Sequence, residues 1–300
     1  MISIIVCSKY NQLEDAFIKN IASTVGVAYE LIHIDNSKND YSIFSAYNEG
    51  VQLAKHPYVC FVHEDVLVRT INWGELIVSH LENPEVGILG VAGGDVMTPV
   101  PTGWYALNYS MHLIQSNCDG SESEHLLFPL NYAEKKRSVA LLDGVFLCMR
   151  KKIFEQIRFD ENLTGFHGYD LDISVQSLLA GYKNYVIYDV LIEHFSKGVF
   201  GWNYYKALIY ITQKWEKELP LFESSVTTEE RERFMLRKSR WLNRLCKVLV
   251  RAKVPSSDIH KTMRYYTNLV GTFGDKVKLY VLPMRIVFIR VTSKIRKKSV

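Results

Sequence analysis

Cysteine is scarce in this 300-residue sequence, and its spacing excludes two kinds of stabilising framework. No two of the five cysteines form a Cys-x-x-Cys pair, and three of them lie in strongly apolar segments. Disulfide-rich domains and structural zinc sites need clustered cysteines, so neither is expected. The sequence instead predicts reduced and mostly buried thiols at Cys7, Cys60, Cys118, Cys148 and Cys246.

Signals for secretion and for crossing a membrane are missing as well. No run of 18 apolar residues occurs, so no transmembrane helix is expected. The first residues contain neither a basic leader nor a small-residue cleavage site, and their β-branched composition is typical of a strand. These absences favour a cytoplasmic protein.

Three familiar motifs for nucleotide binding or nucleophilic catalysis are absent. The glycines from Gly87 to Gly94 have the spacing Gly-x-x-Gly-x-x-Gly-Gly, which is not the dinucleotide-binding fingerprint. There is neither a Walker A sequence nor a Gly-x-Ser-x-Gly nucleophile elbow. The candidate chemistry therefore lies in other residues.

Acidic residues are almost absent from the last 70 positions. Residues 231–300 contain 19 basic and 3 acidic side chains, a net charge of +16, whereas residues 1–230 contain 17 basic and 29 acidic, a net charge of −12. The net charge of the whole chain, +4, conceals this division. The division predicts an acidic body with a basic appendage that meets an anionic partner.

Strand and helix patterns alternate over the first 200 residues. Apolar, β-branched runs at residues 2–7, 29–34, 58–62 and 86–91 are typical of buried strands, and helical spacing follows each of the first three. The alternation predicts an α/β fold with a mainly parallel central sheet. In such sheets, ligands bind beyond the carboxyl ends of the strands.

The domain boundaries follow from changes in residue pattern. Residues 1–200 are predicted to form the α/β domain, in which residues 93–138 lack clear periodicity and are interpreted as a long, loop-rich insertion. Residues 201–300 are predicted to be a basic helical C-terminal segment. Its helices are predicted over 203–219, 228–253 and 257–270.

Several acidic residues and one histidine follow predicted strands or begin a predicted helix. Glu64 and Asp65 follow the third strand, where carboxylates suit a divalent cation such as Mg²⁺ or Mn²⁺, although both are also suited to capping a turn. Asp170 and Asp172 begin a helix, either as a general base or as helix-capping groups. His194 follows a later strand, either as a metal ligand or as a structural side chain.

Taken in order, these segments resemble a family 2 glycosyltransferase of the GT-A fold over about residues 1 to 200. The sequence departs from the family at His63, which replaces the first acid of Asp-x-Asp, and at Tyr169, which replaces the acid before Asp170. The His-Glu-Asp-Val sequence and the glycine-rich residues 87–93 resemble a subgroup typified by a streptomycin-biosynthesis protein. The resemblance is carried by Tyr10-Asn11, Asp35, Ala46-Tyr47-Asn48-Glu49-Gly50, Asp65, Gly144, Arg150-Lys151, Phe159-Asp160-Glu161, Asp170 and His194.

The resemblance implies a hexosyltransferase-like, inverting and metal-dependent activity. A sugar would pass from a UDP- or dTDP-sugar to a hydroxyl group of a glycan or lipid-linked acceptor, in the synthesis of cell-surface polysaccharide or glycoconjugate. Asp170 takes the position of the catalytic base, and Asp65 and His194 that of ligands to Mn²⁺ or Mg²⁺. The nucleotide-binding positions are Ser8, Tyr10, Asp35 and Glu64. The acceptor-side positions are Trp104, Asp143, Gly144 and Asp172.

The sequence leaves three alternatives open. Trp104 and its aromatic neighbours either stack on sugar faces or pack the insertion onto the body. Residues 231–300 either touch an anionic membrane surface or dock on the acidic body or on a second subunit of a homo-oligomer. A nucleic-acid partner is not expected, since the body is acidic and no RNA- or DNA-binding motif occurs. Because His63 and Tyr169 replace acids, the protein either transfers sugar or binds nucleotide-sugar or glycan as a non-catalytic scaffold.

Overall fold

The structure is a computed structural model that describes residues 1–117, 119, 121–128, 134–196, 198, 200–284 and 286–289. It divides into two compact units. The first consists of Met1–Met97 and Trp104–Gly198, and the second of Thr98–Gly103 and Val199–Val300. Cys118 lies outside the described residues, and the other four cysteines are buried thiols that form no disulfide, as predicted.

The first unit alternates strands and helices up to residue 90 and is mainly strands after it. Its helices are α1 (Asp15–Thr24), α2 (Ile43–Leu53), α3 (Trp73–Leu81) and α4 (Tyr169–Leu179), with a short 3₁₀ helix at Lys151–Glu155. Its strands are β1 (Ile2–Ser8), β2 (Tyr29–Asp35), β3 (Tyr58–Val62), β4 (Val66–Val68), β5 (Val86–Gly90), β6 (Ala92–Gly94), β7 (Val96–Met97), β8 (Tyr109–Ser116), β9 (Ser123–Phe128), β10 (Lys136–Val139), β11 (Leu141–Leu142), β12 (Phe146–Arg150), β13 (Lys183–Ile187) and β14 (Ile192–His194).

Seven of these strands form the central sheet, in the order β10-β13-β5-β12-β3-β1-β2. Strand β1 pairs in parallel with both β2 and β3, and β13 pairs in parallel with β5, whereas β10 and β12 run in the opposite direction. All seven residues of β1 are buried, as expected for a strand covered on both faces. The prediction of an α/β fold with a mainly parallel sheet is confirmed.

The family-like sequence in α2 is explained by packing. A side chain at Gly50 would place its Cβ 2.3 Å from the side chain of Ile5 on β1, so only glycine lets the helix approach the sheet this closely. Asn48 donates a hydrogen bond of 2.9 Å to the backbone carbonyl of Phe159 and accepts one of 3.2 Å from its N–H. This part of the motif therefore holds α2 in place beside the sheet.

Among the described residues, the insertion contains strands that its lack of periodicity did not indicate. A second, six-stranded sheet has the order β11-β6-β8-β14-β4, with β9 paired to β8. Strand β8 pairs with β6, β9 and β14, and only β9 is its neighbour in sequence. Hydrogen bonds between distant segments thus stabilise a strand whose buried positions do not alternate, so no local period indicates it.

The second unit is mainly helical. The single helix predicted over 228–253 is two helices, because the chain turns at Leu236 and Arg237, where a hydrogen bond from Arg237 to the carbonyl of Phe234 ends the first helix. This turn brings the rings of Phe234 and Trp241 to a centroid distance of 4.5 Å. Its elements are α5 (Trp202–Lys214), β15 (Leu221–Phe222), α6 (Thr228–Met235), α7 (Lys238–Arg251), α8 (Ser256–Val270) and α9 (Phe273–Lys278).

The apolar residues along one face of α7 are part of the core of the second unit. Trp241, Leu245 and Leu249 are buried, and so are Ile259 and Met263 on the neighbouring helix α8. These side chains are therefore not a free surface for another partner. Among the described residues, no helix is both long and apolar enough to cross a membrane.

Candidate active site

The carboxyl ends of β1, β2 and β3 meet at one edge of the central sheet because these strands are parallel neighbours. Ser8 is in register with Asp35, and its carbonyl accepts a hydrogen bond of 2.8 Å from the N–H of Asn36. Glu64, which follows β3, accepts a hydrogen bond of 3.2 Å from the N–H of Lys9. Three predicted nucleotide-binding residues, Ser8, Asp35 and Glu64, therefore lie at this edge.

A cleft of about 440 Å³ is present here, and its lining includes Ser8, Tyr10, Glu64 and Asp65. Tyr10 is 52% exposed, so part of its ring is available to a flat ligand. Asp35 is exposed and is not part of this lining. Hydrogen bonds from Ser37 lower the pKa of Asp35, which keeps its carboxylate ionised as an acceptor for donor groups of a ligand.

His63, Asp65 and His194 each bring one ligand atom to within 4.8 Å of the others. His194 reaches this position because β14 pairs with β4, where it lies opposite Val66. The N–H of Phe195 also donates to the carbonyl of Asp65 at 3.0 Å, and Nε2 of His194 lies 3.5 Å from Oδ1 of Asp65. The two predicted metal ligands thus meet, and His63, which the sequence pattern marks only as a departure from the family, joins them.

The protonation states at this cluster suit a divalent cation. Burial alone would raise the pKa of Asp65, but hydrogen bonds from His194 and Ser196 outweigh it and hold that pKa well below its usual range. Burial, and next the neighbouring His194, lowers the pKa of His63. An ionised carboxylate together with imidazole nitrogens is a donor set that fits a first-row divalent cation such as Mn²⁺.

Asp170 lies in the first turn of α4, where its carboxylate accepts a hydrogen bond of 3.1 Å from the N–H of Gly144. The helix begins after Gly168, at a φ of 87°, without a side-chain cap. Burial, and next the nearby Asp143, raises the pKa of Asp170 to about 7. A carboxyl group whose pKa is close to neutral is suited to accept a proton from a hydroxyl group.

The predicted acceptor-side residues differ in their surroundings. Trp104 packs against the core and donates a hydrogen bond of 3.0 Å from Nε1 to Asp143, which favours a packing role for its ring. Asp172 is buried and accepts a hydrogen bond of 2.7 Å from Gln176 on the same helix. Residues two apart on a helix do not face each other, so Asp172 points away from Asp170.

Direct contacts connect the histidine cluster with Asp170. Nε2 of His63 lies 2.7 Å from the hydroxyl of Tyr169, which donates a hydrogen bond of 2.9 Å to the carbonyl of Gly144. The N–H of Gly144 in turn binds the carboxylate of Asp170. The cluster and the carboxylate therefore belong to one site.

Comparison with known proteins gives a family match over most of the chain. The model of a family described as "Glycosyltransferase like family" matches residues 3–217. A protein of Fuscovulum blasticum named "ATP synthase subunits region ORF 6" is 26% identical over 223 residues, which are 71% of this chain and 81% of that protein. That name describes a gene region and no activity.

Among solved structures, the chain is similar to GalNAc-T7, crystallised with UDP, GalNAc and Mn²⁺. The TM-score is 0.50 at 12% identity, over 89% of this chain and 54% of that one, so the chain spans about half the length of this relative. At this identity the likeness shows a shared GT-A fold. A197 from STIV is 13% identical with a TM-score of 0.39, over 65% of this chain and 86% of that one, which is too low to add to this conclusion.

The raised pKa of Asp170 predicts a pH-dependent cost to stability. The carboxyl group titrates near 3.8 in an unfolded chain and at about 7 in the folded protein, so its contribution to stability is full below pH 4 and is lost as the pH rises to 7. Asp170→Asn stays neutral. The free energy of unfolding of both proteins is measured by urea denaturation. Between pH 4 and pH 8, we expect the value for Asp170→Asn minus the value for the native protein to increase by on the order of a few kcal/mol.

Asp40→Asn is the matched control, since it neutralises an exposed carboxylate of the same unit. We expect this variant to follow the native protein across the whole pH range. Parallel stability curves for Asp170→Asn and the native protein would show that Asp170 has an ordinary pKa.

Proposed function

The chain belongs to the glycosyltransferase-like family, and from that premise we propose that it transfers a sugar from a nucleotide-diphosphate donor to a hydroxyl acceptor. One observation carries the proposal. A donor set suited to a divalent cation, at His63, Asp65 and His194, is joined by direct contacts to a carboxyl group with a pKa of about 7, at Asp170. Transfer from a nucleotide-sugar needs both, since the leaving diphosphate is anionic and the acceptor must lose a proton.

Each predicted residue has a role in this proposal. A cation held by Asp65 and His194 would offset the negative charge of the departing diphosphate. Asp170 accepts the proton of the acceptor hydroxyl as its oxygen attacks the anomeric carbon, which inverts the configuration there. The donor nucleotide lies against Ser8, Tyr10, Asp35 and Glu64. The acceptor lies towards Trp104, Asp143 and Gly144, and Asp172 supports α4.

The donor class is proposed by analogy with the crystallised relative. GalNAc-T7 was crystallised with UDP and Mn²⁺. We infer a UDP- or dTDP-hexose as the donor here, with Mn²⁺ or Mg²⁺ as the cation. The acceptor is a glycan or a lipid-linked sugar on the cytoplasmic side of the membrane, in polysaccharide or glycoconjugate synthesis.

Asp170→Asn should lower the rate of transfer by about 10²- to 10⁴-fold, because the acceptor then has no positioned base. The measurement is release of nucleoside diphosphate from a panel of UDP- and dTDP-sugars with Mn²⁺, with and without sugar acceptors. Binding of the nucleotide, followed by calorimetry, should stay within twofold of the native value.

Asp40→Asn again serves as the matched control and should keep full activity. The alternative function, a scaffold that binds nucleotide-sugar without transferring it, is favoured by the replaced acids at His63 and Tyr169. Binding of a nucleotide-sugar by the native protein without any turnover across the panel would support the scaffold and contradict the transferase.

We further propose that the second unit meets an anionic membrane surface. Four large apolar side chains recur every three or four residues and are exposed by 49–87%: Phe273, Val277, Tyr280 and Met284, here called the C-terminal stripe. The same unit has a cleft of about 910 Å³ lined by basic and aromatic residues, and residues 231–300 carry a net charge of +16. Apolar side chains beside basic ones are typical of surfaces that lie in the headgroup region, where each basic residue contributes roughly 1 kcal/mol.

Replacing Phe273, Tyr280 and Met284 together by Ser should abolish most membrane binding. Burial of each large apolar side chain is worth about 1.5–3 kcal/mol, so the loss exceeds tenfold in affinity. The measurement is flotation with phosphatidylglycerol vesicles at low salt, where the native protein should float and should be released as salt is added.

Leu236→Ser is the control, because Leu236 is 86% exposed in the same unit but lies outside the C-terminal stripe. Equal flotation of the stripe variant and the native protein contradicts the proposal. A native dimer in analytical ultracentrifugation that the stripe variant converts to a monomer, without flotation of either, would assign the stripe to a homo-oligomer.

A further inference from the structure

The two departures from the family pattern are in contact with each other. His63 and Tyr169 are 106 positions apart in the chain, and both stand where the family has an acid. Their side chains are joined by a contact of 2.7 Å between Nε2 of His63 and the hydroxyl of Tyr169. In the sequence, His63 and Tyr169 look like two independent replacements of an acidic residue. In the fold, their side chains form one hydrogen-bonded pair.

The hydrogen bonds of Tyr169 determine which nitrogen of His63 carries a proton. Its hydroxyl has one proton, and the carbonyl of Gly144, 2.9 Å away, is able only to accept. The hydroxyl therefore donates to Gly144 and offers a lone pair to His63. Nε2 of His63 is the donor in that contact, which leaves Nδ1 as the ring nitrogen with a free lone pair.

Gly144 makes this arrangement possible. A Cβ at this position would lie 2.1 Å from the hydroxyl oxygen of Tyr169, so any side chain would push the hydroxyl away. The ring of Tyr169 packs edge to face against Tyr47 at a centroid distance of 5.4 Å, and a side-chain hydrogen bond also joins the two tyrosines. The hydroxyl thus has a defined place between the carbonyl and His63.

We infer that Tyr169 is a positioning residue that makes His63 a third ligand of the cation, through the ring nitrogen that Tyr169 leaves unprotonated. A ring nitrogen of His63 already lies within 4.8 Å of the ligand atoms of Asp65 and His194. Ligating histidines usually donate their other N–H to a fixed acceptor, which orients the ring and selects the tautomer. The inference rests on the proposed function and names the residues and metals of that same site.

This ligand set changes the preferred metal. Two imidazoles and one carboxylate suit later first-row cations such as Co²⁺ better than Mg²⁺, whereas an acid at position 63 would suit the hard cations Mg²⁺ and Mn²⁺. The acid-to-histidine replacement therefore keeps a cation site and shifts its selectivity.

Tyr169→Phe tests the positioning role, since it removes only the hydroxyl. We expect the affinity for Mn²⁺ alone, followed by electron paramagnetic resonance, to fall by about 10- to 100-fold. In a His63→Ala background the same change should cost nothing further, because the ligand that it orients is gone. The visible spectrum of the Co²⁺-loaded protein should change in both single variants, which a purely structural role of Tyr169 would not produce.

Tyr185→Phe is the matched control, as it removes a hydroxyl on β13, three strands away from β3 in the central sheet. It should leave Mn²⁺ affinity and the Co²⁺ spectrum unchanged. His63→Asp supplies a second test, independent of how Tyr169→Phe folds, and should lower the ratio of Co²⁺ to Mg²⁺ affinity by at least about tenfold.

Three results would overturn the inference. They are native-like Mn²⁺ affinity in Tyr169→Phe and His63→Ala, an unchanged Co²⁺/Mg²⁺ ratio in His63→Asp, and no binding of Mn²⁺ or Co²⁺ by the native protein. Binding of Mn²⁺ through His63 without transfer of any sugar would uphold the inference and contradict the proposed transferase.

Discussion

The parallel pairing of β1 with β2 and β3 is the constraint on which the candidate site depends. Parallel neighbours end at the same edge of a sheet, so the segments after these strands converge although they are far apart in the chain. Ser8, Asp35 and Glu64 reach the edge in this way. Every residue of β1 is buried, so this strand is covered on both faces and lies in the core of the unit.

The second sheet brings His194 to the candidate site. Pairing of β14 with β4 carries His194 to Asp65, and β4 itself begins directly after Asp65. A strand pair thus brings two candidate ligands of a cation together, and it is a more rigid support than a loop. The segment of chain between the two sheets includes Gly144. Its carbonyl accepts a hydrogen bond from the hydroxyl of Tyr169, and its N–H donates one to the carboxylate of Asp170.

Burial is the main cause of the raised pKa of Asp170. Its carboxyl group is removed from water next to Asp143, and both effects favour the neutral form. Asp65, in the same unit, has hydrogen bonds from His194 and Ser196 that favour the charged form. Two carboxyl groups of one site thereby have pKa values shifted in opposite directions, as expected when one is to exchange a proton near neutral pH and the other is to stay ionised beside a cation.

The amino-acid sequence by itself determined the α/β class, the positions of the main strands and the identity of Asp65, His194 and Asp170 as candidates. These features are local, because buried strands are read from apolar runs, and candidate residues from their place after a strand or at the start of a helix. The strands of residues 109–128, the division of the predicted helix over 228–253 and the contact of His63 with Tyr169 were decided only by the tertiary structure. Each depends on contacts between residues distant in the chain, and such contacts leave no local period to detect. The same holds for the exposure of the C-terminal stripe, since an apolar stripe in sequence looks alike whether it is core, as in α7, or surface.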